Sequence, residues 1–150
     1  MNTTTTTASS SSTKKIADIM KTRVASVKMD DRLSVVKHIF EQVAFHHLLV
    51  VEDKQLVGIL SERDMLRSIS PNLGKINETV KDLDTLNKRV HQIMVRNPIS
   101  VSPDASLDEA SYLLLKNKIS CLPVANGKTL LGVITWKDIL KAYCHFEAKA

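Results

Sequence analysis

The sequence predicts an α/β protein made of two copies of one unit, and three observations carry that expectation. The stretch Gly58-Ile59-Leu60-Ser61-Glu62-Arg63-Asp64 returns as Gly132-Val133-Ile134-Thr135-Trp136-Lys137-Asp138. Its glycines, hydroxyls and final carboxylates each recur at a spacing of 74 residues. The same shift aligns residues 16–69 with 90–143 without a gap, and thirteen of the 54 pairs are identical. A spacing held over that length marks a duplicated structural unit. Within each copy, short apolar runs of strand length alternate with stretches of helical spacing.

Taken in order, residues 1–13 are Thr/Ser-rich and lack an apolar segment. They are read as a disordered tail, since such a stretch cannot bury enough apolar surface to order itself. The first unit, 14–70, opens with a helical turn at Ile16–Met20. A loop follows to a brief strand at Ser26-Val27. Apolar residues at 33, 35, 36, 39, 40 and 43 have helical spacing. Leu48–Val51 is apolar throughout, which fits a strand buried on both faces. Glu52-Asp53-Lys54 is a turn, Leu56–Leu60 a second buried strand, and Ser61 the cap of a helix carrying Met65, Leu66 and Ile69. The connector, 71–89, starts with helix breakers Pro71 and Gly74. Its Val80, Leu83 and Leu86 recur at threes, so one amphipathic helix is expected to lie against the body.

The second unit, 90–147, repeats the plan. Val90–Met94 is the opening turn, and Asn97-Pro98 precedes a strand at Ile99–Val101. Ser106-Leu107-Asp108-Glu109 reads as a capping box for a helix through Lys116. Cys121–Val124 is the buried strand, with Pro123 implying an edge or irregular position. Asn126-Gly127 is a hairpin signal. Leu130–Thr135 is its second strand, and Trp136–Phe146 the last helix.

Bulk properties narrow the function. A composition of 43% hydrophobic and 25% charged residues is that of an ordinary globule, and no apolar run approaches the ~20 residues of a membrane helix. Each copy is near the lower size limit for folding alone, so the halves are expected to depend on each other. The net charge of +5 favours anionic partners. Nucleic acid is disfavoured as the main one, because the basic residues are dispersed and aromatic residues are few. Cys121 and Cys144 form neither a metal spacing nor a disulfide framework, which fits a reducing cytoplasm.

The repeated motif places a hydroxyl where a strand ends and a helix begins. Unpaired amides there suit an anion such as phosphate. A carboxylate three residues on can accept two hydrogen bonds from a vicinal diol. Gly58 and Gly132 leave room for a ligand or a neighbouring backbone. Arg63 and Lys137 can neutralise phosphate charge. A lone Ser/Thr-x-x-Asp is more economically a helix cap. Two copies, each with the upstream glycine, favour a ligand site, and capping and binding are compatible in the empty state.

On these residues the sequence resembles a tandem pair of CBS domains, a Bateman module. The resemblance covers 16–146. It rests on Gly-apolar-apolar-Ser/Thr-x-x-Asp in both halves, on Ile119-x-x-Leu122-Pro123-Val124, and on Ile-Met at 19–20 and 93–94. It implies two pseudo-symmetric β-α-β-β-α units packed through their sheets, with two clefts for adenosine compounds: AMP, ADP or ATP, with S-adenosylmethionine and NAD(H) as further options. It implies that Asp64 and Asp138 hold ribose hydroxyls and that Ser61 and Thr135 bond phosphate. Backbone near Ala25 and Ile99 and the strands at Leu48 and Leu122 would edge the adenine. His46 and Ser120 stand where some relatives place a phosphate-binding arginine. Leu49 departs from the usual proline found at Pro123, and Glu62 adds negative charge beside one phosphate site, so one of the two clefts is expected to be weak or empty.

His46 and His47 point to opposite strand faces and are poorly placed to chelate a metal together. Trp136 is read as a packing or dimer residue. No P-loop, nucleophile elbow or zinc motif is present. The expected function is a regulatory, non-enzymatic nucleotide sensor acting in trans on a protein target, with a homodimer implied by the resemblance. Apolar Met65, Ile139, Tyr143 and Phe146 are its physical hint. A structural dimerisation protein with empty clefts is the rival reading, and an enzyme with chemistry in the cleft is the third.

Overall fold

Contacts within the computed structural model, which describes residues 14–144, divide the chain into two compact units. One unit comprises Val24–Pro98 with Lys128–Leu130. The other comprises the chain up to Arg23, Ile99–Gly127, and Leu131 onward.

In the Val24–Pro98 unit, β1 (Ser26–Val27) pairs parallel with β2 (His47–Glu52), and β2 pairs antiparallel with β3 (Gln55–Ser61). The hairpin turns at Asp53 and Lys54, both at positive φ (48° and 66°). That geometry matches the right-handed twist of the flanking strands. On the far side of β3, Gly58 and Ile59 pair with Arg96 and Val95 of β4 (Val95–Arg96). Helices α2 (Leu33–Gln42), α3 (Glu62–Ser68) and α5 (Val90–Ile93) cover the sheet. Val27, Leu33, Val36, Phe40, Leu48, Val50, Leu60, Met65, Val90 and Met94 form its core.

The other unit carries α1 (Ile16–Ile19), α6 (Leu107–Asn117), β5 (Cys121–Asn126), α7 (Trp136–Tyr143) and, from Leu131 onward, β6 (Thr129–Thr135). Strands β5 and β6 are hydrogen-bonded neighbours, and Val101 bridges Val124 in parallel. Its core contains Ile16, Val101, Leu107, Ala110, Leu114, Leu122, Val124, Ile134 and Ile139. Shifted by 74 residues, these are the core positions of the first unit, with one difference: each unit holds the other copy's opening turn. Ile16 N donates to Ala105 O and Ala17 N to Pro103 O. The equivalent bonds, Val90 N to Asp31 O and His91 N to Met29 O, are also 2.9 Å. The sequence repeat and the compact units therefore cut the chain differently.

Several expectations change. The connector helix α4 (Val80–Asp84) forms, with Thr79 and Asp82 in a reciprocal cap. It is not packed on the body as its spacing implied: Val80 is 83% exposed and Leu83 is also exposed. Only Leu86, in the 3-10 turn Thr85–Asn87, packs against the core. Met65 and Ile139 are buried in their own cores and offer no apolar surface. Ser106 accepts from Glu109 N without the reciprocal bond. Pro123 lies buried in β5, the last strand of the sheet path, in keeping with the edge position its missing N–H implied, and its carbonyl accepts from Val101 N. The 1–13 tail and Phe146 lie outside the described residues. No described helix is long and apolar enough to cross a membrane.

Candidate functional site

Both motif copies run from a central strand into a helix whose N-cap is the motif hydroxyl. The glycines explain why. A Cβ built on Gly132 would lie 2.6 Å from Lys21 O and 2.9 Å from Met20 Sδ. One built on Gly58 would lie 2.7 Å from Met94 Sδ and 3.0 Å from Val95 O. The room left by each glycine is thus filled by the neighbouring segment that follows an opening turn. Lys21 and Val133 exchange two backbone hydrogen bonds of 2.9 Å, as Val95 faces Ile59 in the other copy. Met20-Lys21 and Met94-Val95 are therefore equivalent straps, each laid over a motif glycine.

Beyond the glycines the copies diverge. Asp138 is 9% exposed. Its Oδ2 accepts from Thr135 N at 2.9 Å and from Thr135 Oγ1 at 3.0 Å. Its Oδ1 lies 3.6 Å from Lys21 Nζ, on a side chain that is 56% exposed. Asp138 N donates to Thr135 Oγ1, which completes a capping box. In the first copy, Ser61 Oγ accepts from Asp64 N at 3.0 Å, but the half-buried Asp64 carboxylate has no hydrogen-bond or ion-pair partner among the described residues. Where Lys21 meets Asp138, the strap over Asp64 carries Val95.

The other site residues foreseen from the sequence fall into three groups. Leu48 and Leu122 are fully buried in the two cores, so only their backbone can face a ligand. Ala25 is half-buried, and its carbonyl accepts from Leu49 N. Ile99 is exposed. His46 and Ser120 are exposed, and their carbonyls accept from Glu62 N and Trp136 N at the helix starts. His46 Nδ1 also lies 3.3 Å from Glu62 Oε2. Arg63 and Lys137 are exposed on the first helical turns, Lys137 Nζ 5.8 Å above the Trp136 ring.

Sequence reasoning missed Lys21, His47 and Cys121. His47 and Cys121 are equivalent, and each stands one residue after a named position. His47 pairs with Ser61 across the hairpin. Burial holds its pKa below the usual histidine range and the His46 charge adds to that, while Asp64 pulls the other way. Burial pushes the Cys121 thiol up to about 12, and Asp138 acts in the same direction. These are the side chains on which the two carboxylates act. The alternation of strand faces was the available signal: residues 47 and 121 face away from the core side chains of Leu48 and Leu122. Among the described residues, no group of His, Cys, Asp and Glu is arranged to hold a metal ion.

The CBS domain family model matches this chain twice, at residues 16–71 and 90–145. An uncharacterized protein of Methanocaldococcus jannaschii is 29% identical, with 85% of this chain and 89% of that protein covered. An inosine-5'-monophosphate dehydrogenase of the same organism is 28% identical over 85% of this chain, which spans only 23% of that enzyme. Among solved structures, CBSX2 in complex with AMP is 26% identical and superimposes with a TM-score of 0.73, covering 87% of this chain and 96% of that one. The chain belongs to the CBS domain family, which it carries as a tandem pair.

Proposed function

We propose that this CBS pair is a cytoplasmic regulatory module that binds an adenine nucleotide or a related adenosyl ligand, AMP, ADP or ATP foremost, at its motif carboxylates and acts in trans on a protein target. The observation that carries this reading is the Asp64 carboxylate. It is half-buried beside a helix start, its oxygens have no hydrogen-bond or ion-pair partner among the described residues, and its duplicate at Asp138 is gripped on both oxygens. A carboxylate kept partly out of water without a partner is costly, and hydrogen-bond donors from a ligand relieve that cost. A ribose diol offers two such donors. The neighbour solved with AMP supports the choice of an adenine nucleotide. The sequence match covers about a quarter of the dehydrogenase relative, so its chemistry is not transferred, and the module is read as non-catalytic.

The reading is tested by thermal unfolding in the presence of AMP, ADP, ATP, NADH and S-adenosylmethionine. A ligand that binds only the folded chain raises Tm by mass action, by about 2.7 kcal/mol of stabilisation at a hundredfold excess over Kd. A rise with at least one nucleotide is expected. No shift with any of them would remove the sensor reading.

A second reading, self-association as the functional object, is favoured by Leu66 and Leu140. These are equivalent positions on α3 and α7, and each is 55% exposed. Trp136 and Tyr143 add exposed aromatic surface on α7. We place a homodimer contact on these helices. Light scattering tests it, and a monomer across the micromolar range would remove it.

A further inference from the structure

We infer that the two copies differ in the charge of the ligand they accept: the Asp138 copy selects a phosphorylated adenosine compound, and the Asp64 copy an uncharged or cationic one. Lys21 is the residue that sets the difference. This inference rests on the nucleotide-binding reading above and refines it.

The two straps are structurally equivalent, which makes a single substitution between them meaningful. Lys21 O and Val95 O each approach a motif glycine, and each strap pairs with the motif strand. The two backbone bonds to Val133 fix the Lys21 main chain, which keeps Asp138 within reach of its ammonium. The ammonium lies 3.6 Å from Asp138 Oδ1. A ribose diol that takes this carboxylate competes with the one ion pair the ammonium makes among the described residues. A neutral nucleoside offers nothing in exchange, so its binding breaks an ion pair without replacement. A phosphorylated ligand supplies a new anion, and the exchange is then favourable or neutral.

At the other copy the sign reverses. Val95 brings no charge, and Asp64 has no ion pair to lose. Glu62 follows the motif hydroxyl there, where Trp136 follows it in the second copy, and only exposed His46 lies against it. Arg63 and Lys137 are matched between the copies and cancel. A phosphate there meets the Glu62 and Asp64 carboxylates with no ammonium equivalent to Lys21, since Arg96 on the same strap donates to His91 O. An uncharged nucleoside, or a sulfonium-bearing adenosyl group, meets a carboxylate with no hydrogen-bond or ion-pair partner among the described residues.

The test is calorimetric titration of the full chain with AMP and with adenosine, for the unmodified protein and for Lys21→Met and Lys21→Arg. The inference expects Lys21→Met to weaken AMP about fivefold or more, the scale of one charge-assisted contact, while adenosine binding is unchanged or tighter. Lys21→Arg is expected to retain the AMP preference, and added salt to erode it in the unmodified protein. As a second arm, Val95→Lys in an Asp138→Ala background is expected to convert the remaining site from adenosine-preferring to AMP-preferring. Equal effects of Lys21→Met on both ligands, or none on either, would overturn the charge division and leave the nucleotide reading standing. If the unmodified protein bound neither ligand, both would fall together.

Discussion

Alanine at the two motif glycines should destabilise the protein unequally, although the sequence makes the glycines equivalent. At Gly132 the nearest atom to an added Cβ is a backbone carbonyl, Lys21 O at 2.6 Å. Relief requires the strap to move, and the strap is tied to β6 by two hydrogen bonds between Lys21 and Val133. Overpacking of this kind costs about 1–3 kcal/mol, and weakening the two bonds adds about 1 kcal/mol. The loss of glycine's unfolded-state freedom returns about 0.5–1 kcal/mol. The net expectation for Gly132→Ala is about 1–3.5 kcal/mol of lost stability. At ~2–4 °C per kcal/mol for a chain of this size, Tm falls by about 2–14 °C. At Gly58 the nearest atom is Met94 Sδ at 2.7 Å, the flexible end of a side chain, and the backbone carbonyl of Val95 is farther, at 3.0 Å. Methionine can move away, so Gly58→Ala is expected to cost about 1 kcal/mol. Thermal unfolding followed by circular dichroism checks both. The reasoning is refuted if Gly132→Ala melts within a degree of the parent, or if Gly58→Ala is the more damaging.

Three further outcomes follow from the site. Cys144 is exposed, while Cys121 is buried with its thiol pushed up to about 12; at pH 8 an aromatic disulfide reagent should label one thiol quickly and the second only as the protein unfolds. The folded pKa of His47 lies below its unfolded value, so the unfolded chain binds more protons in the window below about pH 6.5. Stability should fall as pH drops through that window, and His47→Gln should flatten this part of the urea-denaturation profile. Replacing Thr135 by Val removes the hydroxyl that accepts from Asp138 N and donates to Asp138, and should cost about 1 kcal/mol, measured as a lower urea midpoint.

The duplication was the most legible feature of the chain, because the core positions repeat every 74 residues and a strand or helix needs those side chains in either unit. Leu48 and Leu122, or Leu60 and Ile134, are interchangeable in that sense. The same equivalence hid the exchange of opening turns. Ile16 and Val90 are both β-branched and apolar, and each opens a turn that ends in Ile-Met, so periodicity cannot say which core each enters. Only the long-range bonds to Ala105 and Asp31 do. At the connector, the spacing of Val80, Leu83 and Leu86 recorded a helix but not its contacts, since a short amphipathic pattern carries no information on what lies opposite. At the site, the motif residues were legible as a set, while their pairing was not. Both copies contain a hydroxyl and an aspartate three residues apart. The difference between the gripped Asp138 and the unpartnered Asp64 comes from Lys21 facing Val133, which lies more than a hundred residues away in the chain.

The most direct test of the nucleotide-binding account is a calorimetric titration of AMP into the intact chain and into the Asp64→Ala, Asp138→Ala double variant. The account predicts saturable binding to the parent and none to the double variant, whose fold is checked by its retained cooperative melting. Undiminished AMP binding by the folded double variant would contradict it.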